Sequence, residues 1–230
     1  MKSAGLKTSQ LIDFYKMARR HFGHQKWWPG ETPLEVMIGA ILTQNTAWTN
    51  VEKAIVNLKR ENLLDLNALK KVPEEKLAQA IRPSGYFNVK TRRLKSFVEF
   101  IFQEYAGSLE KMFAEKGTKL REKLLRVSGI GPETADSILL YAALKPFFVI
   151  DAYTKRIFTR HHLQVSTSPA SSSRMIRKMD YHEWQKIFMK SLPASRAVYN
   201  DFHAQIVHIG KHFCKTSMPL CSLCPLSCFL

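Results

Sequence analysis

Apolar positions recur along most of this chain at intervals of three and four residues, the spacing that gathers them on one face of an α-helix. The pattern predicts helices over Leu11–Phe22, Thr32–Leu42, Thr49–Leu58, Glu74–Ile81 and Val89–Tyr105. It continues with Gly117–Val127, Pro132–Leu144, His182–Leu192 and a last helix over Ala194–Phe213. Strict alternation, the mark of a half-buried strand, is scarce. The short apolar run Phe147–Ile150 reads as extended, and Val165–Ser173 (VSTSPASSS) as a loop by composition. There is no internal repeat and no linker polar enough to separate two independent domains. The chain reads as all-α.

Composition narrows what such a chain can do. Hydrophobic residues at 45% and aromatics at 11% fit a folded core and exclude a disordered chain. No apolar run approaches the length of a membrane span, and the opening MKSAGLKTSQ lacks the core of a signal peptide. The expectation is a soluble protein of the cytoplasm with no membrane partner. Charge changes the picture most: 35 Lys plus Arg stand against 19 Asp plus Glu, a formal net of +16. A lysine-rich solvated surface would account for some excess, but this much is the electrostatic footprint of a nucleic-acid binder. All four cysteines, Cys214, Cys221, Cys224 and Cys228, crowd into the last 17 residues. In an intracellular chain that cluster reads as a metal site rather than as disulfides.

The chemistry concentrates around LRVSGIGPETADSILLYA. Leu120, Leu124, Leu125 and Val127 end one helix, Ser128 to Gly131 form a tight turn, and Pro132 takes a first helical position. Gly129 and Gly131 permit φ > 0 and close backbone approach, so the N–H groups opening the next helix suit a phosphate. Such a hairpin also serves plain packing. Beyond it, VIDAYTKR places Asp151 after a run of apolar residues. An aspartate there is a helix N-cap, or an acid set at a cleft.

Together these segments resemble the helix–hairpin–helix DNA glycosylase superfamily, and the four-cysteine tail resembles its endonuclease III branch. The likeness runs from about Trp27 to Cys228. It implies an all-α, two-domain endonuclease III-like fold. Residues 33–144 would form a six-helix barrel domain containing the helix–hairpin–helix. Residues 1–32 and 145–230 would form a second helical domain carrying the cysteine cluster, with DNA in the groove between. By the same resemblance Asp151 is the catalytic carboxylate, and Gly129, Ile130 and Gly131, with Lys90, Lys155 and Arg156, meet the DNA backbone. The loop Arg82 to Asn88 (RPSGYFN) is placed there too, or is a plain connector. Members that also cut the backbone carry a lysine two residues after the second hairpin glycine. Here that position is Glu133. A glutamate forms no Schiff base, and it also suits the helix dipole. The implied activity is a monofunctional DNA glycosylase of base excision repair, hydrolysing the bond to a flipped base.

The stretch KWWPGETPLEVMIGAILTQNTAW resembles the 3-methyladenine DNA glycosylase III subgroup within that superfamily. The resemblance makes Trp27, Trp28, Pro29 and Trp48 walls of a base pocket. Gln44, in LTQNT, becomes the wedge that fills the hole left by the flipped base; read alone, it is a polar turn between two helices. Alkylated purines such as 3-methyladenine are the implied substrates. A uracil or mismatch glycosylase, a bifunctional lyase using another amine such as Lys155, and a non-catalytic DNA-binding module are the alternatives. The cysteine spacing C-x6-C-x2-C-x3-C implies a 4Fe–4S cluster, with zinc as runner-up, although its last gap is shorter than in endonuclease III relatives. His203, His208 and His212 read as surface or packing residues. The implied partner is double-stranded DNA with a damaged base, met by a monomer at the nucleoid.

Overall fold

In the computed structural model, the described residues are 6–25, 27–165 and 174–230. They fall into two compact units, one made of the chain up to Trp28 together with Pro146–Leu230, the other of Pro29–Lys145. In chain order the helices are α1 (Leu11–Phe22), α2 (Pro33–Leu42), α3 (Trp48–Arg60), α4 (Leu66–Lys71), α5 (Glu74–Ala80) and α6 (Phe87–Tyr105). There follow α7 (Leu109–Ala114), α8 (Gly117–Leu125), α9 (Pro132–Ser137), α10 (Ala152–Arg160), α11 (Tyr181–Ser191) and α12 (Arg196–His212). No strand forms among the described residues; Lys7 and Gln164 make an isolated bridge. Phe147–Ile150 is extended, as its composition predicts. Most of the predicted loop Val165–Ser173 lies outside the described residues.

The continuous unit is built around α2. Thr32 caps it, its hydroxyl accepting from the Glu35 N–H at 3.1 Å, and Pro33 supplies a preset φ. Every residue from Leu34 to Leu42 is buried, so α2 is apolar on all sides, as a central helix must be. Its one acid, Glu35, is matched by Lys59 of α3 at 3.1 Å. Helices α4 and α7 escape the periodicity reading because six residues hold fewer than two turns. Asp65 and Ser108 start them by accepting from the N–H groups of Ala68 and Lys111. Helix α9 widens into a π-helical turn over Ile138–Ala142, buried throughout.

The unit formed from the two chain segments has an aromatic core. Phe148 stacks on Phe188 at 4.6 Å between centroids, and Phe158 meets Phe188 edge-on at 4.9 Å. Phe14 and Phe202 join the same cluster, and each such ring contributes roughly 1.5–3 kcal/mol by leaving water. Helix α11 begins with a reciprocal capping box between Asp180 and Glu183. It then fixes the extended segment that follows α9. The Tyr181 hydroxyl accepts from the Ile150 N–H at 3.3 Å, and the Gln185 side chain donates to the Phe148 carbonyl at 2.8 Å. Helix α10 was absent from the sequence prediction; Asp151 caps it.

Candidate active site

Asp151 sits where the extended segment turns into α10. Its Oδ1 accepts from both the N–H and the hydroxyl of Thr154, each at 2.7 Å, so the N-cap reading is correct as local structure. Its Oδ2 lies 3.5 Å from Nε2 of His203, a residue of α12. Only 12% of the Asp151 side chain and 5% of the His203 side chain remain exposed, so the pair is nearly desolvated. Burial pushes the Asp151 carboxyl up. The imidazole beside it and the two Thr154 donors outweigh that and hold it below the usual carboxylate range. Asp151 is thus a buried carboxylate contacted by Thr154 and His203 and held ionised. Of the two readings of His203, surface or packing, the structure shows packing: it is buried against Asp151. No local signal joins it to Asp151; only the packing of α10 on α12 does.

Helix α12 also anchors the approach to the tryptophan pair. Its buried Asp201 accepts from the Tyr15 hydroxyl at 2.9 Å and from Arg19 at 2.8 Å, both on α1, and from the Gln25 N–H at 3.3 Å. Gln205, one turn on, donates to the Gly23 carbonyl at 2.6 Å. Trp27 and Trp28 follow, half-buried and in edge contact at 5.4 Å, with Lys211 Nζ 5.7 Å from the Trp27 ring. Pro29 and Trp48 belong to the other unit. There Trp48 opens α3 and its indole N–H donates to Glu52 at 2.7 Å.

The glycine hairpin is in the continuous unit. Gly129 has φ +85°, and a Cβ there would stand 2.3 Å from Arg93 Cγ, so this position needs glycine twice over. Gly131 does not: its φ is −87°, and nothing lies within 4 Å of where a Cβ would be. What Gly131 leaves is open space in front of the backbone. Ile130 is buried beneath the turn, and Glu133 is exposed on the first turn of α9. Below, buried Asp136 takes a two-pronged pair from Arg121 at 2.7 and 3.0 Å.

Three expected DNA contacts are placed otherwise. Gln44 is built into the hairpin: its Nε2 donates to the Gly129 carbonyl at 3.0 Å and to the Thr134 hydroxyl at 2.8 Å, while its Oε1 accepts from Arg93. The neighbour that projects from this turn is Asn45, exposed and left-handed at φ 53°. Lys90 is buried rather than at the surface, because the α2 terminus and the following turn present it with carbonyl and hydroxyl acceptors. Arg156 is spent on the C-terminal end of α12, donating to the Gly210 carbonyl at 2.9 Å and the Cys214 carbonyl at 2.8 Å. Lys155 beside it remains half-exposed.

Cys214, Cys221 and Cys224 line one cavity with Arg160 and His161. Arg160 donates to Cys214 Sγ at 3.2 Å. Burial pushes the Cys224 thiol up, as do the other three thiols, which are near enough to act on it. Cys228 is exposed, its Sγ 3.6 Å from Met17 Sδ. Among the described residues no three His, Cys, Asp or Glu side chains converge on a site for one metal ion. A zinc would need every ligand sulfur about 2.3 Å from a single point, whereas a 4Fe–4S cluster takes its cysteines on separate irons. The donor set is four thiols, three of them around one cavity, and four thiolates are the ligand type that either group takes.

Comparison with known proteins bears on the family and the fold. The model of the HhH-GPD superfamily of base excision DNA repair proteins matches residues 38–179. A candidate DNA repair glycosylase of Methanocaldococcus jannaschii is 44% identical over 97% of this chain and 96% of its own. Endonuclease III of Thermotoga maritima is 25% identical over 84% of this chain and 79% of its own. Among solved structures, the 3-methyladenine DNA glycosylase MagIII of Helicobacter pylori, bound to 1,N6-ethenoadenine, superposes with a TM-score of 0.75 at 28% identity. That match covers 90% of this chain and 98% of the other. A trapped endonuclease III–DNA intermediate, at 21% identity and TM-score 0.74, shares the fold.

Proposed function

The chain belongs to the HhH-GPD superfamily of base excision DNA repair proteins and is a DNA glycosylase; on that premise we propose a monofunctional enzyme that hydrolyses the glycosidic bond of an alkylated purine. One observation carries the hydrolytic reading. Asp151 is held as a desolvated carboxylate, and an acid, Glu133, stands where the bifunctional relatives place an amine. As the bond from C1′ to the base breaks, the sugar becomes cationic. A fixed negative charge in a dry site stabilises that cation more than it stabilises the ground state. Water then adds to C1′ and leaves an abasic site. With no amine at position 133, no covalent enzyme–sugar intermediate forms there.

The substrate class rests on the tryptophan pair and on the likeness to MagIII. Trp27 and Trp28 offer electron-rich faces, which favour a cationic base by about 0.5–2 kcal/mol per contact. Alkylated purines carry that charge, and their glycosidic bonds are already weakened. Uracil is neutral and a poorer leaving group. Gly131, with open space before it, and Lys155 suit the phosphate backbone; Asn45 takes the wedge role first given to Gln44, whose amide braces the hairpin instead. The four cysteines would hold a 4Fe–4S cluster, which supplies cross-linking of the C-terminal segment and no redox step in base removal. No helix among the described residues is long and apolar enough to cross a membrane.

The test is a panel of lesion duplexes assayed separately for base release and strand cleavage. Free 3-methyladenine should appear without strand cleavage, and borohydride should trap no protein–DNA adduct. Efficient trapping sinks the monofunctional reading. Uracil released faster than 3-methyladenine sinks the substrate assignment.

A further inference from the structure

The cavity lined by Cys214, Cys221 and Cys224 also has a nitrogen donor on its wall, His161, the C-cap of α10. Only 5% of His161 is exposed, and its Nδ1 is buried with no hydrogen-bond partner among the described residues. A buried polar atom in that state is met by something that is not protein, or it costs stability. The residue is fixed in place. Its N–H donates to the Ile157 carbonyl at 2.9 Å, and its carbonyl accepts from the Leu6 N–H at 2.9 Å. Phe14 stands edge-on to the ring at 5.3 Å. Arg160 beside it ties the end of α10 to the cysteine segment, through Cys214 Sγ and the carbonyls of Lys215 and Thr216. Burial pushes the imidazole pKa down, which favours the neutral ring.

The thiols divide unevenly around this cavity. Cys214 is buried, Cys221 and Cys224 are half-buried, and all three are on its wall. Cys228 is exposed and lies off that wall, its Sγ 3.6 Å from Met17 Sδ and 3.9 Å from the Pro225 carbonyl. The wall's other polar groups suit iron poorly: Arg160 is a cation with no lone pair to give, and the Ser227 hydroxyl is a hard oxygen donor. A neutral imidazole nitrogen binds iron as it stands, and imidazole does take the place of thiolate on iron–sulfur clusters.

We propose that His161 is a fifth, reserve ligand of the cysteine site, which takes the iron corner of Cys228 when that exposed thiolate lets go. The inference rests on the reading that the four cysteines hold a 4Fe–4S cluster. In the exchange the iron–sulfur bond to Cys228 breaks and an iron–nitrogen bond to Nδ1 forms. The freed thiolate takes a proton from water, and no electron is transferred. With one anionic ligand fewer, the cluster accepts an electron more readily. The three thiols on the wall are the fixed part of the site, and the exposed position is the dispensable one.

Cys228→Ala and His161→Phe, singly and together, are purified without oxygen and assayed for iron and acid-labile sulfide. Each single variant should keep the wild-type content, and the double variant should lose it. In reduced Cys228→Ala carrying isotope-labelled histidine, pulsed electron paramagnetic resonance should show a histidine nitrogen coupled to the cluster. Its reduction potential should lie above that of wild type, which should show no such coupling. Loss of the cluster in Cys228→Ala, its survival in the double variant, or no nitrogen coupling in Cys228→Ala each overturns the proposal. So does loss in His161→Phe alone, which makes the ring a packing residue, and so does coupling already present in wild type, which makes it a resident ligand. If the double variant does not fold, the nitrogen coupling in Cys228→Ala decides. Wild type with zinc, or without iron and sulfide, removes the cluster reading itself and His161 with it.

Discussion

Lys90 brings an ammonium into the interior of the continuous unit and satisfies it there completely. Its three hydrogens go to the Leu42 carbonyl at 2.6 Å, the Thr46 hydroxyl at 2.7 Å and the Ser84 carbonyl at 2.7 Å. Burial, and after it the charge of Arg93, push this amine down to about 8. An unfolded lysine holds its proton to about 10.4. Between those values the unfolded chain binds more protons than the folded one, so stability should rise as pH goes from about 8 to 10. Lys90→Met should abolish that rise. By leaving three acceptors unpaired, it should also cost about 2–5 kcal/mol at pH 7. Denaturant unfolding of both proteins at pH 7, 8 and 10 checks the pair of expectations. Residue type alone did not disclose any of this. Lysines are surface residues by default, and a single letter says nothing about three acceptors converging on it. Asp151 was legible because a motif surrounds it, whereas His203 and Lys90 have no motif and gain meaning only from their neighbours in space.

At the scale of elements, the hairpin is more than two helices and a turn. From outside it, Gln44 donates to the Gly129 carbonyl, and Arg93 donates to Gln44 and covers the face of Gly129. Gly129→Ala would force a left-handed alanine, about 1–2 kcal/mol, and push Arg93 out of place. The expected result is a drop in DNA affinity of at least about tenfold with a lowered melting temperature. Gly131→Ala is the informative contrast. Its backbone and the space around it accept a methyl, so stability should move by less than about 0.5 kcal/mol. DNA binding should still weaken, because that methyl occupies the opening that suits a phosphate. Equal effects of the two substitutions on stability would contradict this division. Long amphipathic helices such as α1, α3 and α6 were readable because their apolar stripes repeat several times. Helices α4 and α7 were not, since a cap and one turn leave no period to detect. Helix α10 was missed because its start, AYTKR, is polar where a stripe would begin.

The whole molecule carries +16 formal charges, and its family acts on DNA. Affinity for undamaged duplex should therefore fall by about 10³–10⁵ between 50 and 200 mM salt if six to ten phosphates are neutralised. A slope of log affinity against log salt near zero would rule out phosphate neutralisation as the source of binding. The charge was visible in composition and pointed to the right class of partner. It could not say which bases meet phosphate: Lys90 and Arg156 count toward the total, yet both spend their charge on carbonyls inside the protein.

One of the two units is drawn from both flanks of the other. On a ribosome this sets an order of events. Helix α1 is made early but its polar partner, Asp201, is made late, so α1 waits through the synthesis of everything between. Residues 29–145, contiguous in the chain, can complete their own core during that interval. The carboxylate at position 151 then emerges before the helix that will hold it, and His203 reaches it only when α12 docks. The glycine hairpin is thus finished while the acid is still unsupported. On the function proposed above, a nascent chain of this protein acquires its architecture for gripping DNA before it acquires the means to cut a base from it.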